Sequence, residues 1–249
     1  MNVSYLTPTA VERLQNSATV VVFTGAGVSA ESGIPTFREA QTGLWSQYDP
    51  TELATPGAFR RNPKLVWDFY AHRRDMLAKA SPNPGHYAMA EMQTHLPNTH
   101  IITQNIDGLH QEAGGKRVIE LHGNLSRTKC FEHGHPAREW QTPDKDEPPR
   151  CLQCGSFLRP DVVWFHESLS PDALNMAFHL AEQADVFFTI GTSALVHPAA
   201  TLPLVAAEHG AYTIEINPEP SAVSRYMDEG IRGKSGEVFP QIITQLWGK

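Results

Sequence analysis

The sequence predicts an α/β protein built on a doubly wound parallel sheet, with a smaller unit formed by insertions. Three observations carry that expectation. Six apolar runs without strict alternation recur along the chain, as strands buried on both faces do. Helical patterns lie between them. Small, polar or titratable residues follow five of the six runs, at the strand ends where such sheets bind their ligands.

The chain of 249 residues is long enough to bury a sizeable core, and its 41% hydrophobic and 19% charged content is that of an ordinary globular protein. A net charge of -7 argues against a nucleic-acid partner. No apolar run approaches the roughly 20 residues that span a bilayer, so no membrane association is expected. The opening "MNVSYLTPTAVERLQ" lacks the layout of a secretion signal. Three cysteines are too few for a disulfide framework, which makes the reducing cytoplasm the expected location.

The first strand, "TVVVFT" (19–24), runs into Gly25-Ala26-Gly27. Such glycines let backbone approach a phosphate, and a helix start after them offers N–H groups. A bare G-x-G is equally a tight turn with no ligand. Gly33 completes a G-x-G-x5-G spacing, and "IPTFREAQTGLWSQYDP" is no strand. An ordinary dehydrogenase would need G-x-G-x-x-G and a second strand ending in an acidic ribose clamp. Residues 39–85 read instead as loop plus helix.

The helix at 62–80 opens with Asn62 as cap and Pro63 in its first turn. Val66, Phe69, Tyr70, Arg73 and Leu77 share one stripe. An arginine on an inward face must find an anion, either an internal carboxylate or a ligand.

"THIIT" (99–103) ends in Gln104-Asn105-Ile106-Asp107, where Asp107 could also cap the helix of "GLHQEAG". "RVIEL" (117–121) ends in His122-Gly123. Residues 126–160 are rich in Cys, His and Pro and show little periodicity. "DVVWF" (161–165) reads as the next strand, "DVFFTI" (185–190) ends in Gly191-Thr192-Ser193, and "AYTIEI" (211–216) ends in Asn217. Helices are expected over 171–184 and 197–210.

"GAGVSAESGIPTFR", "TQNID", "LHGN", "VVWF", "GTS" and "INPE", in this order over nearly the whole chain, resemble the sirtuins, NAD-dependent protein lysine deacylases. The resemblance implies a Rossmann-like domain over 1–38, 86–125 and 161–249, a helical insertion over 39–85 that carries an acyl pocket, and a zinc module over 126–160. NAD and acyl-lysine would meet in the cleft between them. The acyl oxygen attacks the ribose, nicotinamide leaves, and O-acyl-ADP-ribose and free lysine result.

In that reading His122 takes a ribose hydroxyl proton, a task that suits an imidazole titrating near neutrality. Asn105 and Asp107 match the residues that hold the nicotinamide ribose and carboxamide. Gly25, Ala26, Gly27, Thr36, Phe37, Arg38, Gln104, Ile106, Gly191, Thr192 and Ser193 complete the implied NAD contacts. Asn217 and Glu219 fall on the adenosine side, and Ser235 at the adenine. Val163, Trp164 and Phe165 match the acyl-lysine tunnel, with the Val163 carbonyl taking the substrate N–H.

Tyr70 and Arg73 reproduce the Y-x-x-R pair of class III sirtuins, and Ala54 the small residue that widens their acyl pocket. This implies removal of succinyl, malonyl or glutaryl groups, with acetyl also admitted. A phenol and a guanidinium one turn apart can share one carboxylate.

The same resemblance implies a structural zinc ion held by Cys130, His133, Cys151 and Cys154, with His133 standing where the family has a cysteine and His135 as its rival. His166 replaces a family glycine beside the tunnel. The implied partners are acyl-lysine proteins, and the chain is expected to be a monomer. Protein ADP-ribosyltransfer and a non-catalytic NAD or ADP-ribose sensor are the competing functions.

Overall fold

A computed structural model describes residues 4–36, 49–140 and 147–248. Phe37 and Arg38 lie outside the described residues.

Helix α1 (Pro8–Gln15) is capped by Thr7, whose hydroxyl accepts the Ala10 N–H, and it sends Ala10 and Leu14 inward. Strand β1 (Val20–Thr24) is buried along its whole length. Val20 and Val22 enter one core with Leu14, Met89, Phe188 and Phe239. Val21 and Phe23 enter a second core with Ile102, Phe187 and Leu202 on the opposite face. Side chains alternate across a strand, so a run apolar at every position needs two covered faces.

The helix expected directly after the glycines is replaced by two 3₁₀ turns, Ala26–Val28 and Ala30–Ser32. Next come α2 (Pro50–Leu53), α3 (Pro56–Arg61) and α4 (Pro63–Leu77). Helix α4 starts as the sequence predicts, with Pro63 in its first turn and the Asn62 side chain accepting the Leu65 N–H at 3.1 Å. Then follow α5 (Pro84–His95), β2 (Thr99–Thr103), α6 (Leu109–Glu112) and β3 (Val118–Glu120).

Strands β4 (Gly123–Cys130), β5 (Pro136–Ala137) and β6 (Leu158–Val162) form a separate antiparallel sheet in the order β5-β4-β6. The chain ends with α7 (Pro171–Gln183), β7 (Val186–Ile190), α8 (Leu202–Glu208), β8 (Tyr212–Ile216), β9 (Glu229–Ile231) and α9 (Ser235–Trp247). The main sheet is parallel throughout, in the order β3-β2-β1-β7-β8-β9. That order reverses at β1, so the carboxyl ends of β1 and β7 border the crevice where such sheets take a nucleotide.

One expected strand is corrected. The run at 161–165 is not part of the parallel sheet; the strand is Leu158–Val162, three residues earlier, and it pairs antiparallel with β4. Pro160 hid it, since proline reads as a strand breaker. At the edge of a sheet, however, its missing N–H costs no ladder bond. A third core, with Phe59, Phe69, Tyr70, Leu125 and Trp164, fastens α3 and α4 to this small sheet. No helix among the described residues is long and apolar enough to cross a membrane.

Candidate active site

A cavity of about 1130 Å³ separates the carboxyl edge of the main sheet from α4 and the segment after β6. Such a volume suits a dinucleotide. The sheet side brings Gly25, Ala26, Gly27, Thr36, Gln104, Asn105, Ile106, Asp107, His122, Gly191, Thr192, Ser193, Asn217 and Glu219 to its wall. The opposite wall holds Ala54, Tyr70, Arg73, Val163, Trp164 and Phe165. Ser235 does not reach it. That residue begins α9, its backbone packs against Gly85, and its buried hydroxyl has no hydrogen-bond partner among the described residues.

The glycine loop is held by a direct backbone contact. Gly27 N–H donates to the Gly191 carbonyl at 2.8 Å. A β-carbon on Gly25 would stand 2.7 Å from that of Thr192. These glycines therefore serve the seam between the β1 and β7 loops as well as any phosphate.

His122 Nδ1 lies 2.9 Å from the Gln104 carbonyl oxygen, which can only accept, so Nδ1 carries the proton of the neutral ring. Nε2 is left with its lone pair. Burial holds the imidazole below its ordinary pKa, with the Gln104 bond opposing. Gly123 follows at φ 80°, and a β-carbon there would meet the Asp161 carbonyl at 2.2 Å. The glycine lets the chain turn from His122 straight into β4.

Asp107 is both cleft wall and local cap. Its Oδ1 accepts the Leu109 N–H at 2.9 Å and its Oδ2 the Ser29 hydroxyl at 2.7 Å. Burial raises its pKa against those two bonds. Asn105 Nδ2 donates to the Gly25 carbonyl and to Ser29 Oγ, both at 3.1 Å.

Sequence reasoning passed over Ser29, although it stands in the quoted glycine motif. It also passed over two buried histidines behind it, His86 and His110, whose rings meet edge to face at 4.8 Å. His110 Nε2 contacts Thr24 Oγ1 at 3.0 Å, and His86 Nε2 lies 3.5 Å from Ser29 Oγ. Burial depresses both, to about 4 for His86 and about 3 for His110, where His86 adds a smaller repulsion. Ser29 lies within the glycine motif and His110 three residues after Asp107, whereas no quoted motif adjoins His86.

The acyl side is shaped by α4. Tyr70 is buried, and burial pushes its phenol up to about 12 against the pull of Arg73. The neighbouring Arg74 turns away, donating to the Leu125 carbonyl at 2.8 Å and the Arg127 carbonyl at 3.0 Å. Arg73 faces the cleft, its Cζ 5.8 Å from the Phe69 ring centre, and no carboxylate among the described residues forms an ion pair with it.

In the small sheet Cys130, Cys151, Cys154 and His135 bring their ligand atoms within 4.8 Å of one another. The histidine is His135, not the expected His133. The β4–β5 hairpin returns the chain beside Cys130, whose N–H donates to the His135 carbonyl at 2.8 Å. His133 contributes its backbone instead, an N–H 3.4 Å from Cys130 Sγ. Zn–S bonds of about 2.3 Å imply a tetrahedral S···S edge of about 3.8 Å. The Cys130–Cys154 sulfurs stand at 3.5 Å and Cys151 Sγ to His135 Nδ1 at 3.7 Å. Three thiols and one imidazole fit a closed, structural zinc site.

The Sir2 family profile matches residues 25–198. An NAD-dependent protein deacylase of Aquifex aeolicus is 53% identical over 91% of this chain and 95% of its own. The chain belongs to the Sir2 family. Among solved structures, a Sir2 homolog–NAD complex superposes with a TM-score of 0.90 at 43% identity, over 99% of this chain and 96% of that one. A Sir2 complex with a p53 peptide and NAD+ gives a TM-score of 0.83 at 30% identity, over 96% of this chain and 97% of that one.

Proposed function

We propose that this Sir2 protein is an NAD-dependent lysine deacylase that favours acyl chains ending in a carboxylate and also removes acetyl. The observation that carries the acidic preference is Arg73, a guanidinium on the cleft wall beside the buried Tyr70 hydroxyl with no ion-pair partner among the described residues. Leaving such a cation unpaired in a narrow cleft is costly unless a substrate anion meets it.

NAD, as co-substrate, supplies a ribose carbon made electrophilic by its pyridinium leaving group. The chain's residues arrange the encounter. Val163, Trp164 and Phe165 form the wall along which acyl-lysine lies, and Ala54 leaves room for the acyl end. Asn105 and Asp107, fixed through Ser29, hold the ribose and carboxamide. His122 accepts a ribose hydroxyl proton at Nε2, because Nδ1 is committed to Gln104. A zinc ion held by these four ligands would have no open position and would act structurally. It would join Cys130, at the end of β4, and His135, just before β5, to the turn at Cys151 and Cys154 that precedes β6.

A charge-assisted contact of about 1.5–3 kcal/mol predicts a ten- to hundredfold selectivity. Arg73→Met should therefore lower kcat/KM on a succinyl-lysine peptide by about that factor and leave an acetyl peptide nearly unchanged. Equal losses on both peptides would refute the acidic pocket.

A further inference from the structure

The wall made by Phe165 and His166 has a second side. Beyond it lies another cavity, of about 920 Å³, whose wall includes Glu52, Thr55, Arg60 and Arg61. Phe165 and His166 line both cavities. The Phe165 N–H donates to the Ala54 carbonyl at 2.9 Å, which ties this wall to the segment joining α2 and α3. Because the two cavities share Phe165 and His166, the second one adjoins the end of the Val163–Phe165 wall along which the proposed acyl-lysine lies.

Its charge is unlike the rest of the molecule. The protein carries a net -7, yet two consecutive arginines face this hollow, both exposed, and neither forms an ion pair among the described residues. Arg60 is steadied by the Phe131 ring, 5.1 Å from its Cζ to the ring centre. The Arg61 guanidinium lies over Gly57, 3.5 Å from where a β-carbon there would stand, and both residues line the cavity. Glu52 is the one carboxylate on the described wall.

His166 adds a second, independent oddity. It sits at φ 69°, in the left-handed region that a non-glycine side chain enters at a cost. The residue that bears this strain stands between the two cavities, where its ring adds a polar group to the hollow.

Resting on the deacylase reading above, we infer that this cavity is a second substrate subsite, which takes the carboxylate of an aspartate or glutamate flanking the acyl-lysine in the target protein. Two guanidiniums can offer a carboxylate several parallel N–H donors. The same pair of cations repels a lysine or arginine at that position, so the site selects against basic neighbours there.

The test uses an acetyl-lysine peptide in an all-alanine host, with a single Glu placed at each position from four before to four after the acetyl-lysine. Nicotinamide release gives kcat and KM. At one or two positions Glu should lower KM by about three- to tenfold with kcat unchanged, and the gain should shrink with added salt. The Arg60→Ala/Arg61→Ala double variant should lose that gain while turning over the alanine host as the wild type does. Arg60→Glu/Arg61→Glu should transfer the preference to Lys at the same position.

Turnover of the alanine host with no Glu position favoured, or a Glu preference that survives in the alanine double variant, would overturn the subsite alone. Failure to turn over any peptide would overturn the deacylase reading and the subsite with it.

Discussion

A single hydrogen bond decides what His122 can do. Because the Gln104 carbonyl holds the Nδ1 proton, the neutral ring presents Nε2 to the cleft as an acceptor. Burial lowers the pKa, so the basic form persists to lower pH than for a free imidazole. kcat/KM should therefore rise with pH through an apparent pKa below the ordinary value of about 6.5 and be level above it. His122→Ala should cost about 10²-fold or more and erase that limb. A limb that stays in place in the variant would assign it to another group. His122, Asn105 and Asp107 were legible because each follows a strand in a recognisable motif. Ser29, His86 and His110 were not, since their importance lies in contacts among segments distant in sequence, Ser29 to Asp107 and His86 to His110. Ser235 stands apart from the cleft wall for the converse reason: at the first turn of α9 its hydroxyl is buried in the protein.

At the scale of elements, the parallel strands were read to within one or two residues wherever the run was apolar and both faces were covered. Strand β9 was missed because Glu229–Ile231 is three residues long with a central glycine, too short to show any period. Strand β6 was displaced because Pro160 argues against a strand unless its place at the edge is known. The zinc ligand was misplaced for a related reason. Spacing alone favours His133, three residues after Cys130, but the β4–β5 hairpin turns that residue outward and brings His135 back. Accordingly His135→Ala should lose zinc, measured by elemental analysis, and lower the melting temperature, whereas His133→Ala should keep a full equivalent of metal. Because the site packs against β4 and β6 and not against the cleft, acetyl turnover in the His135 variant should fall only in step with the folded fraction. The opposite pattern, zinc lost with His133 and kept without His135, would reject the assignment.

The whole molecule carries a pH dependence that the active site does not explain. His86 and His110 are folded into the interior neutral, with pKa values near 4 and near 3. In the unfolded chain both return to about 6.5. Between those limits the unfolded state binds more protons, so stability must fall as the pH drops below 6.5 and is fully present only above it. Each histidine contributes a slope approaching about 1.4 kcal/mol per pH unit in that window. His100 and His122, also depressed by burial, act in the same sense, and Asp107, raised by burial, acts against them. The carboxylates held low in the fold, Asp161, Glu167 and Glu215, add their losses only at more acidic pH. Unfolding free energies from urea titrations at pH 7, 6 and 5 isolate the histidines. His110→Asn removes one titrating ring but keeps a hydrogen-bonding group for Thr24, so it should cut the slope between pH 6 and 5 by roughly 1 kcal/mol per unit, whatever it does to stability at pH 7. A variant with the wild-type slope would mean that the ring is protonated inside the fold, and the buried pair behind Ser29 would then have to be a cation and not a neutral prop for the cleft.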